Sequence, residues 1–407
     1  MGLYDLSGLL VVGISSRALF ELADEDKVFN TKGLQSFIDC QREREDQVLR
    51  PGAAFALVKG LLELNSESDR PKVEVILMSK NHPDVSLRVF NSIDAHGLRM
   101  TRAALTGGAP LGPYLAAFKV GLFLSQSAGD VQSAANQGVA AGLIYSPPPE
   151  LQAAPGQIKI AFDGDCVIFS NEAQKIYEEN GIEAFCQYER ANARKELPDG
   201  PFAKVLRFLC EAQSPDPATS RVRIALVTDR NMPAHERVIR TLRAWNVRID
   251  EAFFLGGIPK TDVLKAFGAN MFFDDKKEYC DLAAEKVPTS LVLQPTIPAN
   301  AEVLIRLARS NDVKPEQRFL LICKTHLKRD FPSSEDDLKE WYRLNIRDWP
   351  EASQSSFLDE FEQSVAATPS GSARRAANSG EDTSTNRLFG FLDNLALKYQ
   401  PTSEDPR

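Results

Sequence analysis

The chain has 407 residues, enough for two or three domains of ordinary size. Hydrophobic residues make up 43% and charged residues 26%, the profile of a globular protein in water. The formal net charge of -8 argues against a nucleic-acid surface, which calls for a basic patch, although an acidic protein still binds phosphate through a metal or a local cationic pocket.

Met1 to Asp5 carry no basic stretch, and the apolar run Leu9–Ile14 is broken by Ser15, Ser16 and Arg17, so no signal peptide is expected. No run approaches the roughly 20 apolar residues of a membrane helix. The expectation is a cytoplasmic protein without membrane contact. Six cysteines lie too far apart for a zinc or redox motif, and four histidines are too scattered for a metal cluster or a triad.

In chain order, short buried-strand runs are expected at Leu9–Ile14, Val73–Met78, Ala103–Leu105, Gly142–Tyr145, Ile158–Phe162, Ile224–Val227, Ala252–Leu255, Met271–Phe273 and Ser290–Leu293. Helical patterns fill the intervals, as at Glu172–Asn180, Phe202–Ala212 and Ala234–Trp245. This alternation implies parallel β-α-β units in a doubly wound α/β fold, not hairpins. The segment Ser146–Gly156, SPPPELQAAPG, reads as a linker. On either side of it the chain repeats itself. Gly33, Phe37, Leu49 and Gly52 recur 148 positions later as Gly181, Phe185, Leu197 and Gly200. Ala103, Gly107, Gly108, Pro110, Phe118 and Phe123 recur 149 positions later as Ala252, Gly256, Gly257, Pro259, Phe267 and Phe272. Shared Gly and Pro positions report turn geometry as well as apolar period. Past residue 300 the character changes: short helices are expected at Glu335–Leu344 and Ser356–Val365, a mobile stretch at Ala366–Asn386, and a last amphipathic helix around Leu388, Phe391, Leu392 and Leu395. The domains expected are therefore 1–150, 151–300, a helical extension at 301–365 and a flexible tail at 366–407.

The second repeat holds four chemical features, each after a strand or a Gly-rich turn. They are Asp163-Gly164-Asp165 after Ile158–Phe162, Thr228 at the end of IALVT, Gly256-Gly257-Ile258-Pro259-Lys260, and Asp274-Asp275 after MFF. In an open parallel sheet, ligands bind beyond the carboxyl ends of the strands, so these residues would converge. Phosphoryl transfer is mainly positioning and charge stabilisation. Asp163 is placed as a carboxylate nucleophile forming an aspartyl-phosphate, and Asp165 as the acid and then base beside it. The Thr228 hydroxyl and the Lys260 ammonium would hold phosphate oxygens. Mg²⁺ prefers oxygen ligands, which Asp163, Asp274, Asp275 and the backbone carbonyl of Asp165 supply.

This order resembles the haloacid-dehalogenase-like phosphatases. More narrowly, ISSRALF (Ile14–Phe20), SKNH (Ser79–His82), LTGGAP (Leu105–Pro110), AFDGD-VIFS (Ala161–Ser170), ELPDGP (Glu196–Pro201) and FFDD (Phe272–Asp275) resemble the cytosolic 5'-nucleotidase I family over roughly residues 8–300. The resemblance implies two haloacid-dehalogenase-like (Rossmannoid) units in tandem, the second with a small helical cap between Ser170 and Arg221. It also implies Mg²⁺-dependent hydrolysis of AMP-like nucleoside 5'-monophosphates by a cytosolic homo-oligomer open to a nucleotide effector. Phe169, Phe185 and Tyr188 are the candidates to meet a base, with Arg230 and Gly257 as further substrate contacts. The alternative is a phosphatase of the same superfamily acting on another small ester such as a sugar phosphate. Response-regulator receivers use similar residues, but there the acidic pair comes first in the chain and here it comes last.

The first repeat lacks this chemistry. Ser15, Arg17, Ser79, Leu111 and Ser125-Gln126 stand at the positions of Asp163, Asp165, Thr228, Lys260 and Asp274-Asp275. With no metal-binding carboxylate and two new cations, Ser15, Arg17, Ser79 and Lys80 form a candidate anion or effector site.

Overall fold

The computed structural model describes residues 4–67, 70–148, 156–217 and 219–295, together with Phe319, Tyr342, Arg343, Ile346, Gln354, Phe357 and Leu358. Residues 1–296 form one compact unit and 297–407 a second. In the second unit Phe319, Tyr342, Ile346, Phe357 and Leu358 are buried, and the Tyr342 hydroxyl donates to Gln354 at 2.8 Å. Most of the expected linker, the mobile stretch and the last amphipathic helix lie outside the described residues. So do the two preceding helices, apart from Tyr342, Arg343, Phe357 and Leu358.

The first half of unit one runs β1 (Leu10–Ile14), α1 (Ser16–Leu19), α2 (Ala23–Glu43), α3 (Phe55–Glu63), β2 (Val73–Ser79), α4 (Leu87–Ala95), β3 (Arg102–Leu105), α5 (Gly112–Ala117), β4 (Leu122–Ser125), α6 (Ala128–Asn136) and β5 (Ala140–Ile144). The second half runs β6 (Ile158–Phe162), α7 (Glu172–Ala191), α8 (Ala203–Glu211), β7 (Val222–Thr228), α9 (His235–Ala244), β8 (Glu251–Phe254), α10 (Thr261–Phe267), β9 (Met271–Asp274), α11 (Lys277–Ala283) and β10 (Thr289–Val292).

All ten strands join one sheet in the order β3-β2-β1-β4-β5-β10-β9-β6-β7-β8. The central strands are buried from end to end, as in the apolar LVVGI of β1 and VEVILMS of β2, whose one charged residue, Glu74, pairs with Arg102 at 2.7 Å. A parallel sheet buried on both faces requires this, and helices cover both faces. On one face α3, α4, α8 and α9 share a single apolar core that runs through both halves. On the other, α5 with α6 and α10 with α11 close two smaller cores. Helix α9 has a clear two-sided pattern: Val238 and Leu242 are buried, while Glu236 and Arg240 form an exposed ion pair at spacing i,i+4.

The expectation of parallel pairing alone is corrected at one place. β5 and β10 pair antiparallel, Leu143 opposite Leu291, and this pair joins the halves. The strand directions therefore reverse across it, and the carboxyl ends of the two halves face opposite edges of the sheet. β4 was not anticipated, although Phe123 in it matches Phe272 of β9 at the offset of 149. Within the segment expected as a cap, α8 belongs to the main core through Val205, Leu206 and Leu209. α2 and α7 are long helices broken at the same place, with Gly33 at φ 80° and Gly181 at φ 79°.

The loop after β6 is locked from below by Gly200. Its N–H donates to Ile168 O at 2.8 Å, and a Cβ there would sit 2.4 Å from Phe169 O and 2.6 Å from Val167 O. Backbone cannot yield as a flexible side chain can. Gly200→Ala should therefore cost about 1–3 kcal/mol, read as a lower denaturant midpoint with unchanged slope. An unchanged midpoint would mean the loop is not held in this way.

Candidate active site

β6 and β9 are neighbours in the sheet, so Asp163 and Asp274 leave it side by side. The Asp163 N–H donates to Phe273 O at 2.8 Å, extending the ladder by one bond. The chain then turns through Gly164 and Asp165 to Cys166, a non-glycine residue at φ 62°. Lys260 lies at the start of α10 and is almost fully buried. Its Nζ donates to Asp163 Oδ1 at 2.6 Å and to Asp274 Oδ2 at 2.7 Å. The other Asp274 oxygen accepts the Lys276 N–H at 2.8 Å.

Asp163, Asp274 and Asp275 each offer an oxygen within 4.8 Å of the others. Three carboxylates against one ammonium leave a buried excess of negative charge. Burial pushes the Asp163 carboxyl well above the usual carboxylate range; Lys260 opposes the rise, and Asp274 and Asp165 add to it. Burial, with Asp274 adding, pushes Asp275 up to about 6. Burial alone would lower the Lys260 ammonium, but Asp163 and Asp274 overcome it and hold the group above its ordinary value. Asp275 Oδ1 is buried and has no hydrogen-bond partner. An orphaned carboxylate oxygen beside two other carboxylates is the donor set of a hard divalent cation, so these residues fit one.

Asp165 is engaged elsewhere. Arg230 grips it with two bonds, from Nε and Nη2, both 2.7 Å. Any part it takes in holding a cation therefore falls to its backbone carbonyl. The third arm of Arg230 reaches Glu189 of α7 at 2.6 Å, and Glu189 also accepts from Arg237 at 2.9 Å. Thr228, at the end of β7, is buried, and its Oγ1 accepts the Arg230 N–H at 3.2 Å.

A cavity of about 400 Å³ opens over Asp163, Asp165 and Thr228. Tyr177, Ile182 and Phe185 of α7 make its apolar side; Tyr177 and Phe185 meet edge to face at 6.2 Å. Asp229, Asn231, Gly256, Gly257, Lys276 and Tyr279 make its polar side. The Tyr279 hydroxyl donates to Asp229.

Of the five substrate candidates from sequence, Phe185, Arg230 and Gly257 line this cavity. Phe169 does not: it is fully buried, with its ring against Trp245 at 5.6 Å. Tyr188 is not among the lining residues either; its hydroxyl donates to Glu172, and Arg237 stands over its ring. In the first half, Ser15 caps α1 by accepting from Ala18 N, and Ser79 is buried with its Oγ accepting from Asn81 N. Arg17 pairs with Asp26 at 3.0 Å, and Lys80 pairs with Asp130.

Sequence reading missed Glu189, Arg237, Asp229, Tyr177 and Tyr279. One signal for the first two was present. Arg88 and Gln41 stand at the matching positions of the first half, and Arg88 there binds Glu25 at 2.5 Å and Gln41 at 3.4 Å.

The charge excess gives a prediction of two opposite signs. Without metal, Asp275→Asn should stabilise the protein, because it removes one of three crowded carboxylates. With saturating Mg²⁺ the wild type should gain stability, about 2.7 kcal/mol at a hundredfold excess over Kd, and the variant should lose most of that gain. Thermal denaturation in EDTA and in Mg²⁺ reads both; a variant destabilised equally in the two would contradict the cation site.

Comparison with known proteins agrees with this geometry. The family model described as 5'-nucleotidase matches residues 3–297. Cytosolic 5'-nucleotidase 1B of Homo sapiens is 34% identical over 279 residues, covering 65% of this chain and 46% of that protein. The chain thus spans about half the length of that relative. No solved structure matches the chain.

Proposed function

The chain belongs to the 5'-nucleotidase family, and from that premise we propose that it hydrolyses nucleoside 5'-monophosphates to nucleoside and phosphate through an aspartyl-phosphate on Asp163. The observation that carries the reading is the buried group of Asp163, Asp274 and Asp275 around Lys260, at the floor of a cavity with an apolar side.

Mg²⁺ held by Asp163, Asp274 and Asp275, with the carbonyl of Asp165, would neutralise charge on the phosphoryl oxygens. The Lys260 ammonium and the Thr228 hydroxyl orient the phosphate. A carboxylate oxygen of Asp163 attacks phosphorus, and the bond from phosphorus to the ribose oxygen breaks. Asp165 gives its proton to that oxygen, and the nucleoside leaves. Water then attacks the phosphorus, Asp165 takes the water's proton, and the bond to Asp163 breaks to release phosphate.

Asp165 here is the doubly bonded partner of Arg230, the carboxylate form that suits the second step. The first step needs its acid form, so the entering phosphate must draw Arg230 away. A phosphate dianion is a stronger partner for a guanidinium than a carboxylate is. Glu189 ties Arg230 to α7, so this exchange would be felt by the helix that covers the cavity. Tyr177, Ile182 and Phe185 on that helix offer a face for a base.

We infer also that the halves are two copies of one haloacid-dehalogenase-like unit. In support, every strand of the first half has its counterpart 148 or 149 positions on, and the strand order is mirrored across β5 and β10. The relative's name places that protein in the cytosol; no helix among the described residues is long and apolar enough to cross a membrane, and a cytosolic homo-oligomer is the assembly proposed here.

Phosphate release from a panel of nucleoside 5'-monophosphates and sugar phosphates tests the reading. Turnover of a nucleotide is expected in Mg²⁺ and not in EDTA, with Asp163→Asn lower by about three orders of magnitude or more. Release from sugar phosphates alone would keep the chemistry and discard the nucleotide.

A further inference from the structure

The first half carries a cavity of its own, about 670 Å³ against 400 Å³ for the candidate active site. We propose that it is a second, non-catalytic site that binds a nucleoside 5'-monophosphate without metal. The ligand class rests on the proposed function of the second half; the site itself rests on four observations.

First, the two cavities are built from the same positions. Arg17, Asp26, Phe29, Leu34 and Phe37 line the first, and 148 positions later Asp165, Gln174, Tyr177, Ile182 and Phe185 line the second. Lys80, Asn81, His82, Gly107 and Gly108 answer Asp229, Arg230, Asn231, Gly256 and Gly257 at 149. The backbone matches as well, with φ 57° and 95° at Gly107 and Gly108 against 57° and 94° at Gly256 and Gly257.

Second, the apolar side is kept. Phe29 and Phe37 meet edge to face at 5.8 Å and 82°, Tyr177 and Phe185 at 6.2 Å and 85°. Phe29 and Tyr177 are 47% and 46% exposed, and Leu34 and Ile182 60% and 54%. Leaving large apolar groups open to water at the same places in both halves is what a shared apolar ligand face requires.

Third, the polar side is reversed in charge. The second cavity is lined by Asp163, Asp165 and Asp229 against Arg230 and Lys276, an excess of carboxylates. The first is lined by Arg17, Arg42 and Lys80 against Asp26 and Asp84, an excess of cations. Where Asp229 meets the Tyr279 hydroxyl in the second half, Lys80 meets Asp130 in the first. Ser15, Leu111 and Ser125 replace Asp163, Lys260 and Asp274, so neither the carboxylate nucleophile nor the carboxylate cation ligands remain at these positions. A phosphate that needs a metal in one cavity can meet Arg17 and Lys80 directly in the other.

Fourth, the pairs that hold the two guanidiniums are weak, while Lys80 is held by the mostly buried Asp130 and can face a phosphate only as a shared cation. Arg17 with Asp26, and Arg42 with Asp84, are exposed by about a third or more on every side chain, where ion pairs contribute little. A guanidinium gains more from a phosphate dianion than it loses there.

The test is nucleotide binding to the full chain made non-hydrolysing by Asp163→Asn, followed by calorimetry with adenosine 5'-monophosphate in Mg²⁺. Two sites per chain are expected, of which one survives EDTA. Arg17→Glu with Lys80→Glu should remove the EDTA-resistant site and leave the other. Phe29→Ala, which changes no charge, should weaken the EDTA-resistant site by about tenfold. A single site that EDTA abolishes and the double substitution does not touch would overturn the proposal. So would inorganic phosphate competing at the EDTA-resistant site as well as the nucleotide does, which would leave the apolar face without a role. Phosphate release by the wild type separates the two readings: turnover with one binding site sinks this inference alone, and two binding sites without turnover sink the hydrolase reading alone.

Discussion

Three carboxylates and one ammonium packed at the ends of β6 and β9 set the conditions for everything else in the second half. Lys260 satisfies Asp163 and Asp274 at 2.6 and 2.7 Å, and Asp275 keeps a buried oxygen with no partner. Charges so crowded would be intolerable on a flexible loop, where side chains turn to water. The carboxylates are held because they stand at the ends of the apolar strands β6 and β9 with the sheet's hydrogen bonds behind them, as the bond from Asp163 N–H to Phe273 O shows, and Lys260 is held at the start of α10. The cost of burying these carboxylates is what fits the group to the divalent cation proposed for it, and with that cation bound phosphoryl charge would be stabilised here.

The surrounding residues act on this group at one remove. Arg230 joins Asp165, beside the candidate nucleophile, to Glu189 of the covering helix, and Glu189 also binds Arg237 of α9. Buried pairs of this kind are costly to break from one side, so they fix α7 against the sheet. The kink at Gly181 divides α7, with Glu189 and Phe185 beyond it and Gln174 and Tyr177 before it.

Much of this was legible in the sequence, for a physical reason. Strands buried on both faces must be continuously apolar, and functional residues must follow them, so DGD, Thr228, GGIPK and FFDD announced themselves by position. The residues that were missed act through long-range contacts. Glu189 looks like one more acid in a helix rich in Glu until the fold brings Arg230 and Arg237 to it, 41 and 48 positions away. Phe169 was misjudged because proximity to a motif does not decide which way a ring faces; Trp245 claims it. β4 is only four residues long, and the antiparallel β5–β10 pair has no local signature at all. The offsets of 148 and 149 carry β4, Arg88 and the lining of the first cavity together.

The central claim, that the phosphoryl group passes through Asp163, is tested most directly by rapid acid quench during turnover of a nucleotide labelled in its phosphate, followed by mapping of the labelled peptide. Label on the peptide Ile158–Ser170, at Asp163 and nowhere else, is the expected result. Full turnover with no labelled protein at any quench time, and transfer of phosphate straight to water, would contradict it.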